Sequence, residues 1–318
     1  MRTLSLALCA IASLTLACPL GTPDDVGEGE GELPDTGFPP PRADVTARIG
    51  DEDTLDIGAW NLKNFPCGNV PFSPECRAGL EDTPTLVADL VTSMDLEVVA
   101  LEEVASEDAF AELVQRLPHH EGVLSSDSYG DGSYQKLAFL YDTRVIDAGD
   151  EALLFQGQSA FPRPALQVPF TWTPSDLTFL AIAVHLKAGE TQDDSARRGA
   201  AIAQLEDYAN NLVDGAGADR IVMLGDFNEV LSDASGRANF APLSDAERFA
   251  IATEANTAAG ETSFLPNPGI ILDHIVTTSA LANVTGVSAA LIPRLDFDIE
   301  GYRERISDHL PVTLSLFP

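Results

Sequence analysis

Lysine is nearly missing from this chain: of 318 residues, Lys63, Lys136 and Lys187 are the whole supply. Lysine and arginine together number 18 against 50 aspartates and glutamates, a formal net charge of -32 at pH 7. Tight nonspecific grip on a polyanion depends on basic side chains that neutralise phosphates and release counterions. The balance therefore excludes an electrostatic duplex clamp and leaves room only for local cationic sites. Also missing is a basic stripe with interleaved aromatics, the pattern of a single-strand track. No apolar run reaches the roughly 20 residues a membrane-spanning helix needs. Cysteine is scarce as well, with four in the chain.

What the N-terminus does have is Arg2, the apolar run LSLALCAIASLTLA and a small residue before Cys18. This reads as a signal peptide over residues 1–17. TLAC followed by polar residues is an imperfect lipobox, in which Cys18 would be acylated and anchor the chain to a membrane without a transmembrane helix. Thr15 and Leu16 stand where a lipobox has an aliphatic and then a small residue, so cleavage after Ala17 and secretion is the alternative. Either route exports the protein, to the periplasm, the cell surface or the medium. Residues 18–50, rich in Pro, Gly, Asp and Glu and without periodicity, are expected to be a disordered tether, with a reach of about 30 Å. Cys67 and Cys76 are then the cysteines left in the folded part. They are expected to pair, closing a short loop worth about 2 to 3 kcal/mol in a compartment that permits oxidation; two free buried thiols are the alternative.

From Thr54 onward, strand-like runs alternate with helical ones. TLDIGAWNL, LEVVALEEV, QKLAFLYD, LTFLAIAVHL, RIVMLGDF, GIILDHIVTT and PVTLSL are close to continuously apolar, as strands buried on both faces are. TPTLVADLVTSM, SEDAFAELVQRL with Ser106 as its N-cap, and ARRGAAIAQLEDYANNLV with Ile202, Leu205, Tyr208 and Leu212 on one side have helical spacing. Residues 51–318 are read as one monomeric α/β domain, and the strand count favours two sheets over one.

Polar residues punctuate these strands. Asn61 ends AWNLKNF, Glu102 and Glu103 end LEVVALEEV, His185 and Lys187 end LAIAVHLKAG, and Asp226 and Asn228 end RIVMLGDFN. Asp273 and His274 interrupt IILDHIV, and Asp308 and His309 precede the last strand in SDHLPV. Singly, each has a plain explanation, since an Asp after a strand is a common turn former and a lone His is more often a satisfied core residue than a ligand. Together, in order and wording, the motifs resemble those of the endonuclease/exonuclease/phosphatase superfamily, which includes DNase I-like nucleases, abasic-site endonucleases, sphingomyelinases and inositol polyphosphate 5-phosphatases. GDFN and SDHLPV are the specific ones.

The resemblance implies a DNase I-like four-layer sandwich of two mixed β-sheets flanked by helices. It also implies hydrolysis of a phosphoester with one or two Mg²⁺ or Mn²⁺ ions. Such a site must neutralise the phosphate, supply a deprotonated water and stabilise the leaving oxygen. By resemblance, Glu103 holds the metal with Asn61 and Asp308, directly or through water. Asp226 orients and deprotonates the attacking water, and Asn228 fixes the phosphate or the nucleophile. His309, held by Asp273, donates to a nonbridging oxygen, and His185 faces the scissile phosphate or leaving group. Two departures stand out. Glu102 occupies a position where the family has Gln, as a second metal ligand or a surface residue. Gln135 or Lys136 stands near where DNase-like members keep a glutamate for their histidine.

All three lysines fall in or beside candidate site strands, which points to phosphate contact by Lys187 above all. Arg197 and Arg198 lie in the first turn of a helix capped by Asp194 or Ser195, where positive charge opposes the macrodipole. Arg198 is accordingly a second phosphate candidate, with local neutralisation by Asp193 and Asp194 as the alternative. The substrate is read as extracytoplasmic DNA or RNA, and a small-molecule, sugar or lipid head-group phosphate is the alternative.

Overall fold

The computed structural model describes residues 37–67, 82–128, 135–215, 217–266 and 268–317. Cys18, the signal segment and Cys76 lie outside them. Two mixed sheets pack face to face. The first contains β1 (Leu55–Phe65), β2 (Val98–Val104), β3 (His120–Leu124), β4 (Lys136–Asp142), β12 (Gly286–Val287) and β13 (Val312–Phe317), in the order β12-β13-β1-β2-β4-β3. The second runs β10-β11-β9-β8-β7-β5, from β5 (Ile146–Ala148), β7 (Ala165–Trp172), β8 (Leu177–His185), β9 (Ile221–Asp226), β10 (Phe249–Ile251) and β11 (Asp273–Thr278), with β6 (Ala152–Leu154) on β7. Each sheet has one parallel pair at its centre, β1 with β2 and β8 with β9.

Alternation along the central strands separates the layers. In β8, Phe179, Ala181 and Ala183 face the core shared with the first sheet, whereas Ile182 and Val184 face the opposite side. On that side lies α3 (Gln192–Gly215), which buries Ile202 and Leu205, with Tyr208 and Leu212 packed against the same cluster. The outer face of the first sheet is covered by α1 (Thr83–Met94) and α2 (Glu107–Arg116), whose N-cap Ser106 accepts from the Ala109 amide. Between the sheets Phe139, Phe170 and Phe179 stack in sequence, with Phe139 and Phe170 edge to face at 5.4 Å. This is the four-layer sandwich expected from the motifs.

The tether expectation needs correction at its C-terminal end. Residues 37–50 belong to the compact unit. The Arg42 amide donates to Asp89, the Val45 amide to Ser93, and the Ile49 and Gly50 amides to the Met94 carbonyl. A Cβ on Gly50 would lie 1.7 Å from the Asp95 carbonyl oxygen. Low hydropathy concealed a segment ordered by hydrogen bonds to Asp89, Ser93 and Met94, which are buried residues of α1.

The start of α3 is also corrected. Thr191 and Asp194 cap it reciprocally: the Asp194 amide donates to Thr191 Oγ1, while Asp194 Oδ2 accepts from the Thr191 amide and hydroxyl. The helix therefore begins earlier than the apolar pattern indicated, and Asp194 lies within its first turn.

Candidate active site

Strand pairing gathers the predicted residues. Register places His185, Asp226 and Asp273 side by side at the ends of β8, β9 and β11. Across from them, the first sheet presents Asn61 from β1 and Glu103 from β2. Four residues in this neighbourhood have left-handed backbones without being glycine: Lys63, Asn64, Glu103 and Asn228, with φ between 47° and 59°. Such conformations cost free energy and concentrate where function demands them. The pairing of β2 slips between Leu101 and Val104, which lets the consecutive residues Glu102 and Glu103 both turn inward. Gly225 in GDFN has φ 133°, and a Cβ there would lie 2.2 Å from the Val184 carbonyl and 2.8 Å from Glu102 Oε1. Glycine is required by both dihedral and space.

Asp226 is at the centre. Its Oδ2 accepts from Asn61 Nδ2 at 3.0 Å and its Oδ1 from the Asn228 amide at 2.8 Å. His309 Nε2 lies 3.9 Å away and His185 Nε2 3.6 Å away. Burial, and then the charge of Asp273, lift the Asp226 pKa to about 7. His309 Nδ1 meets Asp273 Oδ2 at 2.9 Å, and Asp273 also accepts from Ser263. Burial disfavours the imidazolium, but Asp273, Asp226 and Asp308 outweigh it and raise His309 to about 9. The segment carrying His309 is strapped down: Trp60 donates to Tyr302 Oη at 3.0 Å, Tyr302 donates to the His309 carbonyl and Ser307 donates to the Asn61 carbonyl.

Glu103 is held by three donors, the Asn61 amide group, the Asn64 backbone and Gln135 Nε2. Asp308 pairs through Oδ2 with Lys63 at 3.1 Å, while its buried Oδ1 has no hydrogen-bond partner and lies 4.0 Å from His309 Nε2. Glu102 is fully buried and neither of its oxygens is hydrogen-bonded. Burial and then the charges of Asp273, Asp226 and Glu103 push its pKa well up. It is thus not a surface residue. Five acidic side chains are concentrated here against His309, Lys63 and Arg163, and a divalent cation fits that surplus. Geometrically, Asp226, Asp273 and His309 could share an ion, having ligand atoms within 4.8 Å of one another. The motifs imply instead Asn61, Glu103 and Asp308; in that set Asp308 Oδ1 is a buried acceptor without a hydrogen-bond donor, while Glu103 is held by three donors and Asn61 Oδ1 accepts from the Lys63 amide.

Other expectations separate clearly. His274 is structural, bonded through Nδ1 to Thr253 and through Nε2 to the Glu229 carbonyl, with burial lowering its pKa to about 4. Arg198, expected to contact phosphate, is engaged inside the fold instead. Its buried guanidinium pairs with Glu229 at 3.0 Å and donates to the Lys187 and Gly189 carbonyls, which fixes the loop after β8. Lys187 Nζ meets Asp194 at 3.1 Å on the rim. Lys136 is buried and donates to the Ser125 and Asp127 carbonyls. Cys67 is disulfide-bonded. His185 Nδ1 is buried without a partner, and burial followed by Arg163, His309 and Lys63 depresses its pKa strongly. Gln135 therefore supports Glu103 rather than orienting this histidine.

Sequence reasoning missed Arg163. Its Nη2 donates to Gln135 Oε1, and its buried Nε has no partner. An Arg between two prolines in a loop carried no readable signal.

The fold and this cluster define a DNase I-like phosphoesterase scaffold, and solved structures agree on the fold. The chain is similar to a humanized Danio rerio TDP2 (14% identity, TM-score 0.62, covering 83% of this chain and 99% of that one). It is similar to the human Nocturnin catalytic domain with bound sulfate (18%, 0.62, 87% and 98%). It also resembles a Bacteroides thetaiotaomicron mannosyl-6-phosphatase (16%, 0.60, 82% and 99%). No curated protein sequence matches. The chain belongs to the Endonuclease/Exonuclease/phosphatase family, whose model matches residues 58–309.

Proposed function

We propose that this protein is a divalent-cation-dependent phosphoesterase that acts outside the cytoplasm on a small phosphoester in preference to a polynucleotide. The observation that carries the catalytic reading is Asp226, a buried carboxylate of raised basicity set among Asn61, His185, Asp273 and His309. Asp226 takes a proton from the attacking water, with Asn228 fixing its carboxylate through the backbone amide. His309, kept charged by Asp273, donates to a nonbridging phosphate oxygen. Asn61, Glu103 and Asp308 would hold Mg²⁺ or Mn²⁺, which when bound supplies charge neutralisation at the phosphate.

The preference for small substrates rests on the basic residues. Arg198 and Lys136 are engaged within the fold, and Lys187 is paired on the rim. A polynucleotide would need several free cations along its path. A nuclease is the second reading, supported by the family and by the part-exposed Lys63 and Lys187. The apolar leader ending at Ala17 and the oxidised Cys67 support export, with the chain anchored through acylated Cys18 or released by cleavage. Among the described residues no helix is long and apolar enough to cross a membrane.

The purified protein, given Mg²⁺ or Mn²⁺, is expected to hydrolyse p-nitrophenyl phosphate or its bis-ester faster than it degrades plasmid or single-stranded DNA. DNA loss without turnover of any small phosphoester would replace this reading with the nuclease.

A further inference from the structure

The two oxygens of Glu103 have different surroundings. Oε2 accepts from the Asn64 amide at 3.0 Å and from Gln135 Nε2 at 2.7 Å, whereas Oε1 is met by the longer contact from Asn61 Nδ2 at 3.3 Å. The direction of the Gln135 amide is set from its far side. Arg163 Nη2 donates to Gln135 Oε1, and a guanidinium can only donate. The amide oxygen must therefore face Arg163, which turns the amide nitrogen to Glu103 and to Asn64 Oδ1. This relay joins the two sheets: Arg163 lies between β6 and β7, Gln135 directly before β4, and Glu103 on β2.

We propose that Gln135, aimed by Arg163, is a positioning residue that makes Glu103 a one-oxygen ligand and thereby selects a small octahedral cation over Ca²⁺. The inference rests on the cation-dependent reading above. With Oε2 taken by two donors, Oε1 is the oxygen left for an ion shared with Asn61 and Asp308. Mg²⁺ and Mn²⁺ suit octahedral oxygen shells, and Mg²⁺ tolerates little departure from that geometry. Ca²⁺ is larger, takes about 6–8 oxygens and gains from a carboxylate that offers both of its own. Removing Gln135 frees Oε2, and removing Arg163 lets the amide turn its oxygen towards the carboxylate. Loss of Arg163 also removes a positive charge that repels any cation. Mn²⁺ and Ca²⁺ carry the same charge, so that effect cancels in the ratio of their affinities. The ratio therefore reports on ligand geometry.

The test is made on the purified protein without substrate. Mn²⁺ binding is followed by the EPR signal of the free ion and Ca²⁺ binding by displacement of Mn²⁺, with Glu103→Gln marking the binding that belongs to this site. The unmutated protein is expected to bind Mn²⁺ at least about tenfold more tightly than Ca²⁺. Gln135→Ala should reduce that ratio about tenfold, the scale expected when a residue that orients a metal ligand is lost. Arg163→Met should move the ratio in the same direction, and it carries the test should Gln135→Ala misfold. Arg163→Lys, which keeps a donor for Gln135 Oε1, should restore most of the ratio. A preference for Ca²⁺ in the unmutated protein, or an unchanged ratio in either folded variant, would overturn the proposal and leave the cation site standing. An unmutated protein that binds no Mn²⁺, or whose binding survives Glu103→Gln, would overturn the cation site itself and the proposal with it.

Discussion

Two buried polar clusters, one around Arg198 and Glu229 and the other around Asp226, three residues before Glu229, behave oppositely. Around Arg198, charge is balanced: Glu229 accepts from Arg198 Nε and Asn239, and Nη1 of the guanidinium donates to two backbone carbonyls. Around Asp226, acidic groups outnumber basic ones, Glu102 and Asp308 keep unsatisfied oxygens and the pKa of Asp226 is raised to about 7. A satisfied buried pair holds a fold together. A surplus that the fold does not satisfy stores electrostatic strain, and such perturbed groups cluster at functional sites. Burial alone would have placed both clusters in one class.

The contrast can be broken by substitution, and the largest effect is expected at Asp226. Asp226→Ala should lower kcat/KM by about 10³-fold or more, in the range of a lost general base and its electrostatics, while thermal melting shows Tm unchanged or raised. A marked fall in Tm would put Asp226 in the structural class. His309→Ala should cost about 10²-fold in kcat/KM, and Asp273→Asn should approach it by releasing the imidazole; steady-state kinetics on folded protein reads both. Arg198→Met should reverse the pattern. Stranding Glu229 in the interior is expected to cost about 3 kcal/mol in urea unfolding, with specific activity per folded molecule largely retained. The smallest effect is at Glu97, far from the site, whose pKa burial raises to about 8. The folded chain there keeps a proton that the unfolded chain releases, so its contribution to stability is full below about pH 4.5 and is lost as pH rises towards 8. Glu97→Gln should therefore stabilise the protein by about 1 kcal/mol at pH 9 and not at pH 5, as followed by urea unfolding at each pH.

How much of this was legible beforehand follows the physics of each element. Central strands such as β2 and β9 are buried on both faces, so their apolar runs announce them. Strand β7 escaped notice because Pro169 interrupts it, yet it pairs with β8 from Leu166 to Trp172. Short strands such as β5 and β12 offer too few residues for a period. The site motifs could be read because each sits where a strand ends. What they did with their charge could not. Arg198 finds Glu229 31 residues onward, and the inward turn of Glu102 depends on a register slip in β2 that residue identities do not encode. Arg163 and Gln135 meet only through the packing of two loops.

The central claim is that the unsatisfied acidic surplus is a cation-dependent hydrolytic site. Turnover of p-nitrophenyl phosphate by the purified protein, followed as Mn²⁺ is titrated in, removed with EDTA and restored, tests it most directly. The rate should rise with Mn²⁺, vanish in EDTA, return on re-addition and be lost in Glu103→Gln. Turnover that persists in EDTA, or that Glu103→Gln leaves intact, would contradict it.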